Sequence, residues 1–121
     1  ECDFCSNVIE RSYPDGMDVE VFSMNALTKA WKEATSPSDR EHVTYYIWKN
    51  TDLLGKDLFK AINVVAEAGM NHSNLRLTLD YPEDYTLFSR LIEMEGTNKG
   101  WLDYVKALYK HPELIEINKY V

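Results

Sequence analysis

A carboxylate stands where an extended segment runs into a helix in Leu75-Arg76-Leu77-Thr78-Leu79-Asp80-Tyr81-Pro82-Glu83-Asp84-Tyr85. Leu75, Leu77 and Leu79 alternate with Arg76 and Thr78, the period of a half-buried strand. Pro82 suits the first helical position, and Glu83 and Asp84 the first turn, where the helix dipole favours negative charge. The C-terminal end of a strand is where open α/β sheets bring their ligands, so Asp80 is a candidate magnesium ligand. An Asp in that place equally serves as a helix cap, accepting hydrogen bonds from free backbone N–H groups. On these residues alone both chemistries stay open.

A second acidic pair lies in Met17-Asp18-Val19-Glu20-Val21-Phe22. Strict alternation makes this a strand, with Asp18 and Glu20 on one face and Met17, Val19 and Val21 on the other. Neighbouring carboxylates on one face repel, so solvent, a cation or a polar ligand must lie opposite them. Cys2 and Cys5 form a C-x-x-C at the start of the chain, but His42, His72 and His111 are scattered and do not complete a zinc pattern. No strand precedes the pair, as a thioredoxin-like site requires. Idle thiols are expected.

The elements that hold these residues follow from patterning. Tyr13-Pro14-Asp15-Gly16 is a turn signal. Ser23 caps a helix with the stripe Leu27, Ala30, Trp31 and Ala34, and Ser38 with Glu41 has capping-box spacing for a second helix carrying Val43, Tyr46 and Ile47. Phe59 to Val65 reads as a strand. The helix after Asp80 carries Leu87, Phe88, Leu91 and Ile92. Asn98 is a cap for a helix with Trp101, Leu102, Val105, Leu108 and Tyr109, and Pro112 opens a last short piece. The order predicts an α/β fold with too few strands for a complete doubly wound sheet. It contains no glycine-rich phosphate loop.

The 121 residues are enough for one domain with its own core, and a composition 45% apolar and 27% charged is that of an ordinary soluble globular protein. A net charge of −7 argues against a nucleic-acid surface. No apolar run reaches the length of a membrane span and no signal peptide opens the chain, so a soluble, cytoplasmic protein is expected.

Three segments, Tyr13 to Phe22, Arg40-Glu41-His42-Val43-Thr44, and Leu75 to Asp84, stand in an order and spacing that resemble the C-terminal half of the spore coat polysaccharide biosynthesis protein SpsF family. These are cytidylyltransferases related to CMP-Kdo and CMP-sialic acid synthetases. The resemblance covers roughly residues 3 to 95 and is loose from Trp101 onward. It implies a glycosyltransferase-A-like sheet flanked by helices, in which a sugar hydroxyl attacks the α-phosphate of CTP and pyrophosphate leaves. It also implies Mg²⁺, with Asp80 matching the metal-binding Asp of the D-x-P-E-D motif. One carboxylate suits this ion, which keeps several waters and takes other ligands from phosphates. Asp18, Glu20, Arg40, His42 and Arg76 fall at substrate-binding positions. Arg40 can fork onto a sugar carboxylate or phosphate, and His42 titrates near neutrality. Alternatives remain beside these roles: a solvated strand face, a capping box with a packing histidine, and an outward strand residue. No residue is assigned to catalysis itself.

The family's basic nucleotide loop and second metal-binding Asp have no counterpart here. The chain therefore reads as the sugar-side half of a cytidylyltransferase, residues 1 to 121 forming the C-terminal part of a larger domain and inactive alone. A homodimer is expected, as in related synthetases. A reading of another class is a non-catalytic assembly module built on the aromatic-rich helices.

Overall fold

A three-stranded sheet, two groups of helices and two separate cores make up the computed structural model, which describes all residues from Glu1 to Val121. The chain divides into two units, Glu1–Arg11 with Asp18–Ala66, and Ser12–Met17 with Glu67–Val121. The mixed α/β class expected from the patterning is the one observed.

The sheet lies in the first unit. Strand β1 (Phe4–Ser6) is central, with β2 (Glu20–Phe22) antiparallel on one side and β3 (Ala61–Asn63) parallel on the other. Phe4 and Ser6 point inward and are buried, and Cys5 between them faces the other way beside its register partners Val21 and Ile62. Helix α1 (Met24–Glu33) begins at Ser23, whose hydroxyl accepts from the amide of Ala26 at 3.0 Å. The buried face of α1 is Ala26, Ala30 and the following Ala34, while Trp31 is exposed. Small residues at that spacing let the helix approach Phe4, Ile47 and Phe59 closely, and these close the core. Burial of Phe4 or Ile47 stabilises by about 1.5–3 kcal/mol each.

The second expected helix is two. α2 (Pro37–Glu41) ends at His42, and α3 (Tyr45–Lys49) starts after Thr44. The cap of α2 is Ser36, which accepts from the amide of Asp39, so the Ser38–Glu41 box does not form. Pro37 explains the choice, because it fits the first helical turn and puts the cap one residue before it.

Two strands are shorter than their alternation predicts, and one is missed. β2 begins at Glu20 rather than Met17, and the 59–65 segment is a strand only over Ala61–Asn63, with Phe59 in an isolated parallel bridge to Thr51. β1 has too short a pattern to stand out. The 75–79 segment forms a single parallel bridge, Asp15 with Arg76, in the second unit. The amide of Asp15 donates to Leu75 O at 2.9 Å, and that of Leu77 donates to Asp15 O at 2.7 Å. Leu75 is buried but Leu79 is exposed, so the period ends before the helix begins.

Three helices complete the second unit: α4 (Pro82–Glu95), α5 (Trp101–Lys110) and α6 (Pro112–Ile115). Leu75, Leu87, Leu91, Val105, Leu108 and Leu114 make its core. α5 starts after Gly100 rather than at Asn98. No helix is long and apolar enough to cross a membrane.

Candidate functional site

The corner before α4 is built by a buried carboxylate, and that carboxylate is Asp84. Its side chain is 0% exposed, one turn into the helix. Oδ2 accepts from the backbone amides of Asp80 at 3.0 Å and Tyr81 at 3.1 Å. The Arg76 guanidinium donates as a fork, Nε to Oδ1 at 3.0 Å and Nη2 to Oδ2 at 2.9 Å. Asn118, also buried, donates to Oδ1 at 2.7 Å and to the Arg76 carbonyl at 3.2 Å. With so many donors, Arg76 above all, the carboxyl is held well below the usual carboxylate range, although burial opposes this. The same pairing raises Arg76 above its ordinary value.

This leaves Asp80 without a capping task. Its carboxylate is 68% exposed and meets Arg76 Nη2 at 3.5 Å. Asp15 approaches the other terminal nitrogen of Arg76 at 3.8 Å and is partly exposed. Two solvent-facing carboxylates thus flank one guanidinium whose strongest bonds go to a third. The turn that delivers Asp15 depends on Gly16, with φ of 106° and a position where an added Cβ would lie 2.1 Å from Leu77 O. Only glycine fits such an approach at that dihedral angle. The Met17 amide closes the turn on Pro14 O at 3.1 Å.

The other expected site residues lie in the first unit. Asp18 pairs with Arg11 through two bonds, at 2.9 and 3.2 Å. Glu20 accepts from the hydroxyl of Thr44, joining the strand to the Arg40–Thr44 segment. Arg40 donates to the Trp31 carbonyl at 2.7 Å, and His42 is exposed with its ring 6.0 Å from that of Tyr45. Nearby Asp39 is buried against Lys49, whose ammonium lowers the carboxyl from its ordinary value. Glu20 is thereby joined to Thr44, and Arg76 to Asp80 and Asp15.

Sequence reasoning missed Asp84, Asn118, Asp15 and Thr44. Asp84 had a signal: an acidic residue three positions after the cap can accept from the cap's own amide. Asn118 had none, since its partners are 34 and 42 residues away.

The donor set suits an ion that shares its ligands. No group of three His, Cys, Asp or Glu residues converges anywhere to cage a metal, and both cysteines are free. Asp80, with Asp15 beside it, offers exposed oxygens, as Mg²⁺ requires when water and phosphate supply the remainder.

No family model matches the chain. An uncharacterized protein of Methanocaldococcus jannaschii is 34% identical over 107 residues, which are 88% of this chain and 42% of that protein. A solved structure, a cytidylyltransferase from Leptospira borgpetersenii serovar Hardjo-bovis (strain JB197), matches with a TM-score of 0.83 and 28% identity. The match takes in 98% of this chain and 47% of that one. The chain spans less than half the length of both. The fold of this chain thus resembles part of a cytidylyltransferase.

Proposed function

We propose that this chain is the sugar-side part of a Mg²⁺-dependent cytidylyltransferase of the SpsF type, with a glycosyltransferase-A-like sheet. The complete enzyme activates a sugar or sugar acid with CTP, in the cytoplasm, for surface polysaccharide biosynthesis. The observation that carries this reading is the division of labour at the corner. Asp84 satisfies the backbone amides, so the neighbouring Asp80 keeps an exposed carboxylate at the start of α4. The likeness to a cytidylyltransferase along nearly the whole chain agrees with it.

In the transfer, a sugar hydroxyl oxygen forms a bond to the α-phosphorus of CTP while the bond to the β-phosphate bridging oxygen breaks, releasing pyrophosphate. Mg²⁺, where bound, would supply neutralisation of the phosphate charge that passes to pyrophosphate. The residues of this chain bind and orient. Asp80 would hold the ion, and Arg76 pairs with both the Asp80 and the Asp15 carboxylates. Glu20, fixed by Thr44, and Asp18 accept from sugar hydroxyls, while Arg40 and His42 lie within the same unit for an acidic sugar.

Mn²⁺ serves as the probe. Amide signals at Asp80 should broaden first as the ion is added to the isolated chain, and Asp80→Asn should abolish this. Broadening that ignores Asp80 would sink the reading. Mixed with CTP, Mg²⁺ and a sugar acid, the isolated chain should release no pyrophosphate, and release would overturn its incompleteness.

A second reading, assembly or homodimerisation, has its own observation. Val21 and Ile62 flank Cys5 on the open face of the sheet, 63% and 50% exposed, with Val19 and Val64 exposed beyond them. Such a row favours burial against another surface. Sedimentation of wild type and Val21→Lys separates the two: a dimer that the substitution dissociates supports it, and a monomer at high concentration rejects it.

A further inference from the structure

We infer that Asn118, acting through Asp84 and Arg76, positions the Asp80 carboxylate for a divalent cation. This rests on the proposed metal role of Asp80 and adds to it a residue from the far end of the chain. Asn118 follows α6, and its side chain is 2% exposed. Its one amide nitrogen reaches both sides of the corner, Asp84 Oδ1 on the helix and the Arg76 carbonyl on the extended segment. The opposite oxygen of the same carboxylate holds the backbone amide of Asp80. From Asn118 to Asp80 there are therefore two hydrogen bonds through one rigid carboxylate.

The geometry leaves few other constraints on Asp80. Its side chain has one neighbour, Arg76, at 3.5 Å, and that guanidinium is oriented by its fork onto Asp84. Both routes that fix Asp80, through its backbone and through its cationic partner, pass through Asp84. Asn118 donates to Oδ1 beside Arg76 Nε, opposite the two backbone amides on Oδ2, and it is the donor that also ties the carboxylate to the backbone of the extended segment through the Arg76 carbonyl. Without Asn118 the carboxylate keeps the two amides and the Arg76 fork but loses its tie to the extended segment, which loosens the Arg76 head and, with it, the Asp80 carboxylate beside it. Groups that orient a metal ligand from behind in this way typically set affinity by about 10- to 100-fold.

The test is Asn118→Ala in the full chain, with Mn²⁺ titration followed by broadening at each amide and with hydrogen exchange at Asp80 and Tyr81. The expected result is about a tenfold weaker Mn²⁺ affinity at Asp80, with faster exchange at both amides, at a temperature where the variant is fully folded. A merely structural role would lower the melting temperature and leave Mn²⁺ affinity in the folded protein as in wild type. That outcome overturns the inference while the metal role of Asp80 stands. Wild-type broadening insensitive to Asp80→Asn overturns the metal role, and the inference with it. Should Asn118→Ala not fold, Asn118→Gln, which moves the amide along by one carbon, is read by the same two measurements and the same outcomes.

Discussion

Asp84→Asn is the sharpest perturbation of this molecule, because it keeps the shape of a fully buried side chain and removes only charge and one acceptor. The wild-type carboxylate accepts on Oδ1 from Arg76 Nε and Asn118, and on Oδ2 from Arg76 Nη2 and the amides of Asp80 and Tyr81. Every one of these neighbours is a donor. An asparagine can offer one oxygen, so its own NH₂ must face donors on the other side. In the better orientation the oxygen keeps the two backbone amides, and the bonds of Arg76 Nε and Asn118 are lost. Hydrogen bonds involving a charged group contribute about 1.5–3 kcal/mol each, and breaking a buried ion pair costs about 3–5 kcal/mol. Arg76 is partly exposed and retains Asp80 and Asp15 at 3.5 and 3.8 Å, which places the loss at the lower end. The expected loss is about 3 kcal/mol, or roughly a 10–15 °C drop in Tm for a chain of this size. Urea melts at pH 7 measure it, and amide exchange locates it in the second unit. The pH dependence has a fixed sign. A depressed carboxyl contributes stability that is complete above the unfolded value of about 3.9 and is lost as pH falls towards the lower folded value. The gap between wild type and Asp84→Asn should therefore be constant at neutral pH and narrow below about pH 4. A loss under about 1 kcal/mol at pH 7, or a gap that does not narrow in acid, would refute the assignment of Asp84 as the charged centre of the corner.

Other perturbations divide the fold from the site. Gly16→Ala forces a Cβ to within 2.1 Å of a backbone oxygen at a positive φ and should cost roughly 3 kcal/mol, read by thermal melting. Leu91→Ala empties a fully buried position in the second core and should cost about 2–5 kcal/mol by urea unfolding. Asp80→Asn, by contrast, changes a side chain that is mostly in water and should alter stability by less than about 0.5 kcal/mol while removing Mn²⁺ broadening. A large destabilisation there would mean that Asp80 holds the fold rather than a ligand. Thr44→Val deprives Glu20 of its hydroxyl donor and should increase the mobility of the Glu20 side chain, seen as averaging of its carbon shifts, without loss of fold.

What sequence reveals here follows the range of the interaction. The start of α1 at Ser23, the Pro82 start of α4 and the buried positions Leu87, Leu91, Val105 and Leu108 depend on neighbours within a turn or two and stand where the patterning puts them, whereas Ile92 and Tyr109 at the margins of those stripes are exposed. The lengths of β2 and β3 depend on a partner strand. That partner, β1, is a three-residue piece near the start of the chain with no alternation long enough to recognise. Trp31 failed for a related reason: two helical faces of α1 were apolar enough to be buried, and the alanine face won because Phe4, Ile47 and Phe59 fill the space. At the corner, Arg76, Asp80 and Asp84 lie close in sequence, whereas the bridge from Arg76 to Asp15 does not. It joins positions 61 residues apart through a turn whose glycine was the only local sign of a close approach.

The corner shows which of two aspartates satisfies the helix start. Two aspartates stand four positions apart at the start of α4, and either type of residue can cap a helix or bind an ion. Capping requires an oxygen turned back to the free amides, a direction that buries the group and is favourable when cationic donors accompany it. Asp84 has that direction from its place on the first turn, and Arg76 and Asn118 supply the donors. Once one carboxylate has satisfied the amides of Asp80 and Tyr81, a second carboxylate pointing inward would meet only its negative charge. Repulsion and hydration then both favour turning Asp80 outward, where its exposure of 68% is observed. The same arrangement that stabilises the helix start thus leaves a charged oxygen in solvent beside Arg76. One member of the short motif thus meets the structural requirement, and the other is left in solvent.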